Sequence, residues 1–208
     1  MSRKTNRQLL DEWRTSLQES VEYFSSKNKP ERELWVCENF LTNLGVRFNT
    51  DEVSHVMTDP PDVVFRTAAF EIKELLDPER QRHAELKVEL KRANKAKHPK
   101  EMMGAYIPKD IIPGEIAIRI QPILETYFTH YARSVRASMG LLIYANLLEH
   151  HLKVGRMPNP ETLISYGWRS ISVLIGSHAL VLSAPRGAPK FLRNRESGIF
   201  RLRTGRVQ

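Results

Sequence analysis

The sequence contains a single cysteine, Cys37, and no long apolar run. One thiol cannot form an internal disulfide or a thiolate zinc cluster, so both kinds of scaffold are excluded. The longest apolar stretch, residues 139–148, is interrupted by Gly140 and Asn146 and is too short to span a bilayer. The N-terminus is polar and lacks the apolar core of a signal peptide. We therefore expect a cytoplasmic protein without a membrane partner, in which Cys37 is a buried apolar residue and not a nucleophile.

Acidic side chains are also in the minority. The chain has 24 acidic residues against 32 lysines and arginines, which gives a net charge of +8. Such an excess favours a polyanionic partner, most simply nucleic acid. The hydrophobic content of 41% and the charged content of 27% are ordinary for a globular protein. A chain of 208 residues is long enough to bury a full core.

The most informative stretch is residues 60–73, where strand-forming residues surround the pair at 66–67 and predict a β-hairpin. Side chains alternate along a strand, so Glu71 and Lys73 share one face. A two-residue turn places Asp62 opposite Glu71, with roughly 4.5–5.5 Å between their Cβ atoms. A three-residue turn would shift the register by one position and separate the two carboxylates.

Two facing carboxylates repel each other unless a positive charge lies between them. Mg²⁺ suits this position, because it takes one or two protein carboxylates and keeps water and phosphate oxygens as its other ligands. Lys73 would hold or activate a water molecule, or stabilise charge that develops on a phosphate. These groups are typical of metal-assisted phosphodiester hydrolysis. The alternative is an ordinary edge hairpin whose wet face carries three charged residues.

A helix is predicted upstream of the hairpin, over residues 30–44, and Gly45 ends it. Glu33 and Glu38 both lie on the border of its apolar stripe. Either could project toward a sheet packed against the helix, and either could face solvent. His55 lies between this helix and the hairpin, where it would contact substrate or simply be solvated.

This order of elements resembles a known family. A helix with a glutamate, a strand, a proline followed by Asp62, and then Glu71-Ile72-Lys73 resemble the PD-(D/E)xK nuclease superfamily. The resemblance is firm over residues 30–76 and follows the order of elements beyond them. The chain as a whole is similar to a small bacterial family labelled a putative endonuclease. The resemblance implies a mixed α/β (α+β) fold: a restriction-endonuclease-like central mixed sheet flanked by helices, here with an added N-terminal helix.

The resemblance also implies roles for individual residues. Asp62, Glu71 and the backbone carbonyl of Ile72 would bind Mg²⁺ or Mn²⁺, and Lys73 would serve the attacking water. A helix glutamate would complete the site. The two candidates straddle the position where the family places this residue, and the catalytic set that we predict is therefore Asp62, Glu71, Lys73 and Glu33, with Glu38 as the alternative.

The function that we expect is Mg²⁺-dependent hydrolysis of DNA. Two alternatives from other classes remain open. One is a nucleic-acid-binding protein that keeps the nuclease fold without turnover. The other is a structural or interaction module whose basic charge only aids solubility. Fold alone does not decide among them, because function depends on the site.

Two segments carry the excess of positive charge. Residues 79–97 are predicted to form a strongly charged helix that either tracks phosphates or is a solvated face. The segment 185–208 has seven cations against one acid, which indicates contact with nucleic acid or a frayed soluble end. The nucleic-acid contacts that we predict are Lys87, Lys91, Arg193 and Arg195.

The predicted organisation has three parts: an N-terminal amphipathic helix and linker (1–29), a nuclease-like domain (30–184) and a basic tail (185–208). The first helix would either cover its own domain or pair two subunits into a homodimer. Thr5 with Gln8 fits a capping box at its start.

Residues 115–135 show helical spacing, which Pro122 is expected to interrupt. Tyr127 and Tyr131 belong to the apolar stripe of this segment, and we interpret them as core residues. Residues 139–145 predict a buried strand.

Overall fold

The structure is a computed structural model that describes residues 4–202. The α-helices are α1 (Asn6–Tyr23), α2 (Lys29–Asn43), α3 (Arg82–Lys95), α4 (Pro113–His130), α5 (Arg133–Ser138), α6 (Pro160–Ile164) and α7 (Lys190–Arg193). The strands are β1 (Val53–His55), β2 (Val63–Phe65), β3 (Ala68–Leu76), β4 (Lys109–Ile111), β5 (Gly140–Asn146), β6 (His150–Leu152), β7 (Ser170–Ile175), β8 (His178–Ser183) and β9 (Gly198–Phe200).

The chain divides into two compact units. The first unit comprises the described residues of 1–29 together with 77–107, and the second comprises 30–76 with the described residues of 108–208. This division differs from the predicted one at two points. The charged segment 79–97 groups with the N-terminal helix, and part of the predicted tail belongs to the second unit.

The first unit is built on α1 and α3. Leu10 and Leu17 of α1 share a buried cluster with Ala93 of α3. Arg14 donates hydrogen bonds to the carbonyls of Ala93 at 3.0 Å and Ala96 at 2.9 Å, near the carboxyl end of α3. The predicted capping box at the start of α1 is present. The charged helix therefore has an apolar side to bury, which its few apolar positions did not suggest.

The second unit contains a seven-stranded sheet in the order β1-β2-β3-β5-β7-β8-β9. Its centre, β3-β5-β7, is parallel, and the pairs outside it are antiparallel. The predicted mixed α+β fold, with a central mixed sheet flanked by helices, is confirmed. β9 adds to this sheet through pairs such as Leu180↔Ile199. The described part of the predicted tail, residues 185–202, therefore belongs to the second unit. The remainder of the predicted tail, 203–208, lies outside the described residues.

Helices cover both faces of the sheet. On one face, Phe40 of α2 packs with Phe70 of β3, and on the other, Ile120 of α4 packs with strands that include β5. Cys37 belongs to the first core, where burial and the nearby charge of Glu38 raise its pKa to about 12. It is a buried apolar residue, as predicted.

Pro122 does not interrupt α4, contrary to expectation, because the helix runs without a break from Pro113 to His130. A proline inside a helix removes one backbone hydrogen bond, and tertiary packing compensates for such a loss. The buried residues Ile120 and Leu124 lie on either side of this position.

No helix in the described part of the chain is both long enough and apolar enough to cross a membrane.

Candidate metal centre

The β2–β3 hairpin brings the predicted site residues together. The two strands pair with Val63 opposite Phe70, and a two-residue turn joins them. Arg66, the first residue of this turn, has a φ of 53°, the positive value that two-residue hairpin turns require. The backbone N–H of Asp62 donates to the Phe70 carbonyl at 3.0 Å. Over Val63–Phe65 the register is the one that the two-residue turn predicts, and Asp62, just before β2, has its carboxylate close to that of Glu71.

Lys73 lies on the same face of β3 as Glu71, as strand alternation predicts. Its ammonium group forms an ion pair with Glu71 Oε1, and it lies 3.7 Å from Asp62 Oδ2. The ring of Tyr127 lies beneath the ammonium group, with 5.0 Å between Nζ and the ring centroid. A cation over an aromatic face is attracted by the ring quadrupole, so Tyr127 helps to hold Lys73 in place.

Glu71 is fully buried, with 0% of its surface exposed. The hydroxyl of Tyr131 donates a hydrogen bond to its Oε1 at 2.9 Å. Its second oxygen, Oε2, is buried without a hydrogen-bond partner among the described residues. Buried polar atoms are normally hydrogen-bonded, so each exception requires an explanation such as an ion or water.

The buried position shifts proton affinities at this centre. Burial raises the pKa of Glu71, and the charge of Asp62 adds to the rise, against the opposing effects of Lys73 and Tyr131. Burial lowers the pKa of Lys73, but the hydrogen bond and charge of Glu71 outweigh it and leave that pKa raised. Burial and the hydrogen bond to Glu71 also raise the pKa of Tyr131. The lysine and the phenol therefore keep their protons at neutral pH.

Asp62 is fixed by the backbone of the neighbouring strand. Its side chain is 3% exposed, and its Oδ2 accepts a hydrogen bond from the N–H of Ile72 at 2.8 Å. In a strand the N–H and C=O of one residue point to the same side. The Ile72 carbonyl therefore faces the side of β3 on which Asp62 lies, and its predicted role as a ligand stays a prediction.

Asp59 is a third carboxylate at this centre. One carboxylate oxygen each of Asp59, Asp62 and Glu71 lie within 4.8 Å of one another. Asp59 is exposed, whereas the other two residues are buried. Asp59 was assigned no role from the sequence. The available signal was its position just before the two prolines that precede Asp62.

Glu33, the predicted fourth catalytic residue, is buried on α2. Its Oε2 lies 3.1 Å from Nε2 of His55, and it does not belong to the group of three carboxylates found within residues 4–202. Glu38 is half-buried on the same helix. A catalytic role for Glu33 or Glu38 stays a prediction. His55 is not simply solvated, because it is half-buried and bonded to Glu33.

Comparison with known protein families gives one match, over residues 5–208, to the model described as "Putative endonuclease, protein of unknown function (DUF1780)". The chain belongs to this family. No curated protein matches the chain. Among solved structures, a protein of unknown function from Pseudomonas aeruginosa strain PAO1 is similar, with 25% sequence identity and a TM-score of 0.66. The match covers 97% of this chain and 98% of the other, which is described as belonging to a monooxygenase superfamily.

Two tyrosines of this DUF1780 member reach the centre from α4 and the residue after it. Tyr127 and Tyr131 are half-buried and stack with 5.5 Å between their ring centroids. Their interpretation as core residues captured this packing but missed the hydroxyl of Tyr131 on Glu71. The only sequence signal was a polar tip on an aromatic residue near a helix end.

The four predicted nucleic-acid contacts differ in exposure in this DUF1780 chain. Lys87 and Lys91 are exposed on α3, and Arg193 is exposed on α7. Arg195 is half-buried and donates to the carbonyls of Leu44 at 3.0 Å and Phe191 at 2.9 Å. Three of the four cations are thus free to meet a phosphate backbone, while Arg195 is anchored within the fold.

Proposed function

We propose that the protein is a metal-dependent nuclease that hydrolyses phosphodiester bonds of DNA with Mg²⁺ or Mn²⁺. The observation that carries this proposal is the buried, unpartnered Oε2 of Glu71, in a carboxylate group beside Lys73. A hard divalent cation prefers such oxygens, and it would satisfy the orphaned atom. The donor set therefore fits the ion that the PD-(D/E)xK resemblance implies.

Asp62 and Glu71 would hold the cation, with the Ile72 carbonyl and the exposed Asp59 as further oxygen donors. When bound, such an ion stabilises negative charge on a phosphate and lowers the pKa of a coordinated water. The N–H of Ile72 fixes Asp62 in this arrangement, and the hydroxyl of Tyr131 fixes Glu71.

Lys73 would contribute a protonated ammonium group to the site. Its ammonium group faces two carboxylates, so it stays charged and acts as a hydrogen-bond donor instead of a general base. From this position Lys73 orients a water molecule or stabilises an anionic phosphate oxygen. Tyr127 restricts the lysine from the other side, which keeps the donor in one orientation.

Two further observations support the nuclease proposal. The elements follow one another as α2, β1, β2 with Asp62 before it, and β3 with Glu71 and Lys73, which is the order in the restriction-endonuclease-like fold. The family description also names an endonuclease. Exposed Lys87, Lys91 and Arg193 and the anchored Arg195 would supply phosphate contacts, and most of the affinity of such contacts is electrostatic.

The description of the similar structure suggests a second class, an oxygenase. The candidate donor set does not favour it, since the group of side chains found within residues 4–202 consists of three carboxylates and contains no imidazole, the ligand that redox iron sites commonly use. Carboxylates and carbonyls suit Mg²⁺ and Mn²⁺. We therefore retain hydrolysis as the proposed reaction. A cytoplasmic location is also part of the proposal, and pairing of two copies stays a prediction.

The test is cleavage of plasmid and single-stranded DNA with added Mg²⁺ or Mn²⁺. We expect cutting by the wild type, and loss of cutting with binding retained in Asp62→Ala and Lys73→Ala. Equal cutting by the wild type and both variants would indicate a contaminating nuclease. Uncut DNA together with salt-sensitive binding would instead establish the binding protein without turnover. The absence of binding at low salt would leave the interaction module.

A further inference from the structure

A second polar pocket lies at the turn of the β2–β3 hairpin, away from the carboxylates. Its volume is about 460 Å³, within the roughly 300–1,000 Å³ that is typical of ligand pockets. The turn residue Arg66 forms one wall, and Lys190, Asn194 and Arg195 of the α7 segment contribute to the other. None of the lining residues, all of which are within the described range, is acidic.

Arg195 is a half-buried cation whose partners are neutral. Its Nε donates to the carbonyl of Leu44 at 3.0 Å and its Nη1 to that of Phe191 at 2.9 Å. Within residues 4–202, no carboxylate forms an ion pair with Arg195 or with Lys190, which is exposed. A charge that is partly removed from water without a counter-ion is unfavourable, so an anion in this pocket would be stabilised.

Arg66 is held rigidly on the opposite wall. Its Nε donates to Glu52 Oε2 at 2.5 Å, its Nη2 to the Arg47 carbonyl at 3.0 Å, and its guanidinium carbon lies 4.7 Å from the centroid of the Phe65 ring. Each of the two guanidinium groups keeps one terminal nitrogen outside these bonds, Nη1 of Arg66 and Nη2 of Arg195. Fixed guanidinium groups recognise phosphate with little loss of side-chain entropy.

We propose that this pocket binds a phosphate group of a nucleic-acid strand. Arg66 and Arg195 supply fixed donors, Lys190 supplies a mobile positive charge, and Asn194 adds a neutral polar group. Binding of phosphate stands by itself, whereas its use by a substrate strand rests on the proposed function.

The test is calorimetric titration with pyrophosphate in EDTA, where no turnover occurs. We expect Lys190→Ala to bind pyrophosphate about tenfold more weakly, because one charge-assisted contact is lost. Lys109→Ala, which removes an exposed lysine on β4, should bind like the wild type. Absence of pyrophosphate binding by the wild type, or equal weakening in both variants, would overturn the proposal. Arg195→Lys, which keeps the positive charge but removes the planar guanidinium donors, should also weaken pyrophosphate binding, and unchanged binding would contradict the role of Arg195.

A short oligothymidylate then identifies the source of the phosphate. If the pocket holds a strand, pyrophosphate competes with the oligonucleotide, and Lys190→Ala weakens both. If only pyrophosphate binding responds, the pocket is a site for free anions and the strand assignment is wrong. Both readouts are independent of cleavage. An inactive wild type with intact pocket binding would therefore count against the nuclease proposal alone.

Discussion

Two glutamate–cation pairs involve cations of the β2–β3 hairpin, and the pKa shifts of the two glutamates have opposite directions. Glu52 pairs with Arg66 at the exposed turn, and the hydrogen bond from Arg66 lowers the pKa of Glu52. Glu71 pairs with Lys73 in the interior, and there burial raises the pKa of Glu71 despite its cation. A partner charge thus decides the pKa of a glutamate in water, while burial and a second carboxylate decide it inside the protein.

The opposite pKa shifts of Glu52 and Glu71 distinguish a surface ion pair from a candidate catalytic pair. An exposed ion pair contributes little, because solvent screens it and two side chains must be ordered. A buried pair with excess carboxylate is unfavourable for folding, and such groups cluster at functional sites. The exposed pair therefore supplies a control for the buried glutamate, and exposed or unbonded residues elsewhere in the chain supply controls for the residues around it.

The largest expected effect is on DNA cleavage. Glu71→Gln removes a predicted metal ligand, so we expect cleavage to fall by about 10³-fold, equivalent to about 4 kcal/mol. Glu52→Gln makes the same change in the exposed pair and should leave kcat within about twofold of the wild type, since the residue contacts no reacting group; any effect through Arg66 on substrate binding would raise KM alone. Equal activity of the two variants in a Mg²⁺ cleavage assay would remove the distinction between the pairs.

The next effect is on stability. Lys73→Met leaves Glu71 and Asp62 buried and facing each other without their cation, which should lower the free energy of unfolding by about 3 kcal/mol. Lys109→Met, the same substitution at an exposed site, is the control and should leave it unchanged. Urea unfolding in EDTA measures both variants. A midpoint for Lys73→Met close to that of the wild type would show that the interior pair contributes no more than a surface pair.

Tyr131→Phe sharpens the comparison by removing only the hydroxyl that orients Glu71. Loss of this one hydrogen bond should reduce kcat about tenfold, or by about 1.4 kcal/mol, while KM for DNA stays unchanged. Tyr166→Phe is a matched control, because no hydrogen bond from the Tyr166 hydroxyl is present within the described residues. An effect confined to thermal stability would indicate that Tyr131 only packs the core.

The smallest expected effect is an increase in stability, in contrast to the loss expected for Lys73→Met. Because the folded-state pKa of Glu71 lies above its ordinary value of 4.5, the ionised form is disfavoured by folding. The stability linked to its proton is fully present below the unfolded pKa and is lost as pH rises through the folded pKa. At pH 7 in EDTA, Glu71→Gln should therefore be more stable than the wild type by about 1 kcal/mol. The gain should vanish at pH 4, and a destabilised variant at both pH values would contradict the pKa shift.

Local features of this architecture could be predicted from the sequence, and distant ones could not. The alternation that joins Glu71 to Lys73 depends only on strand geometry, and the turn register depends only on two residues. Asp59 and Tyr131 approach the centre from a loop and a helix end, and spacing along the chain carries no such information. The same limit explains Glu33, whose partner His55 lies 22 positions away.

Local sequence patterns also could not predict which segments group together in the two compact units. The charged composition of residues 79–97 indicated a helix that tracks phosphates or is solvated, and it did not reveal that Ala93 is fully buried. The basic composition after residue 184 indicated contact with nucleic acid or a frayed end, and it did not reveal that β9 pairs with β8. Whether a segment joins a sheet or buries a narrow apolar side depends on which segments pack beside it in the fold. The number of charges in the segment does not reveal those neighbours.

The unit formed by α1 and α3 is discontinuous in the chain, and this has a practical consequence for truncation. Cutting the chain at residue 30 would delete one of its two helices while leaving the other attached. Leu86, Leu90 and Ala93 would then lose the apolar residues that shield them, and the shortened protein should self-associate through that newly bared stripe. The N-terminal helix is therefore an integral part of the unit that it forms with α3, and it cannot be removed without exposing that helix.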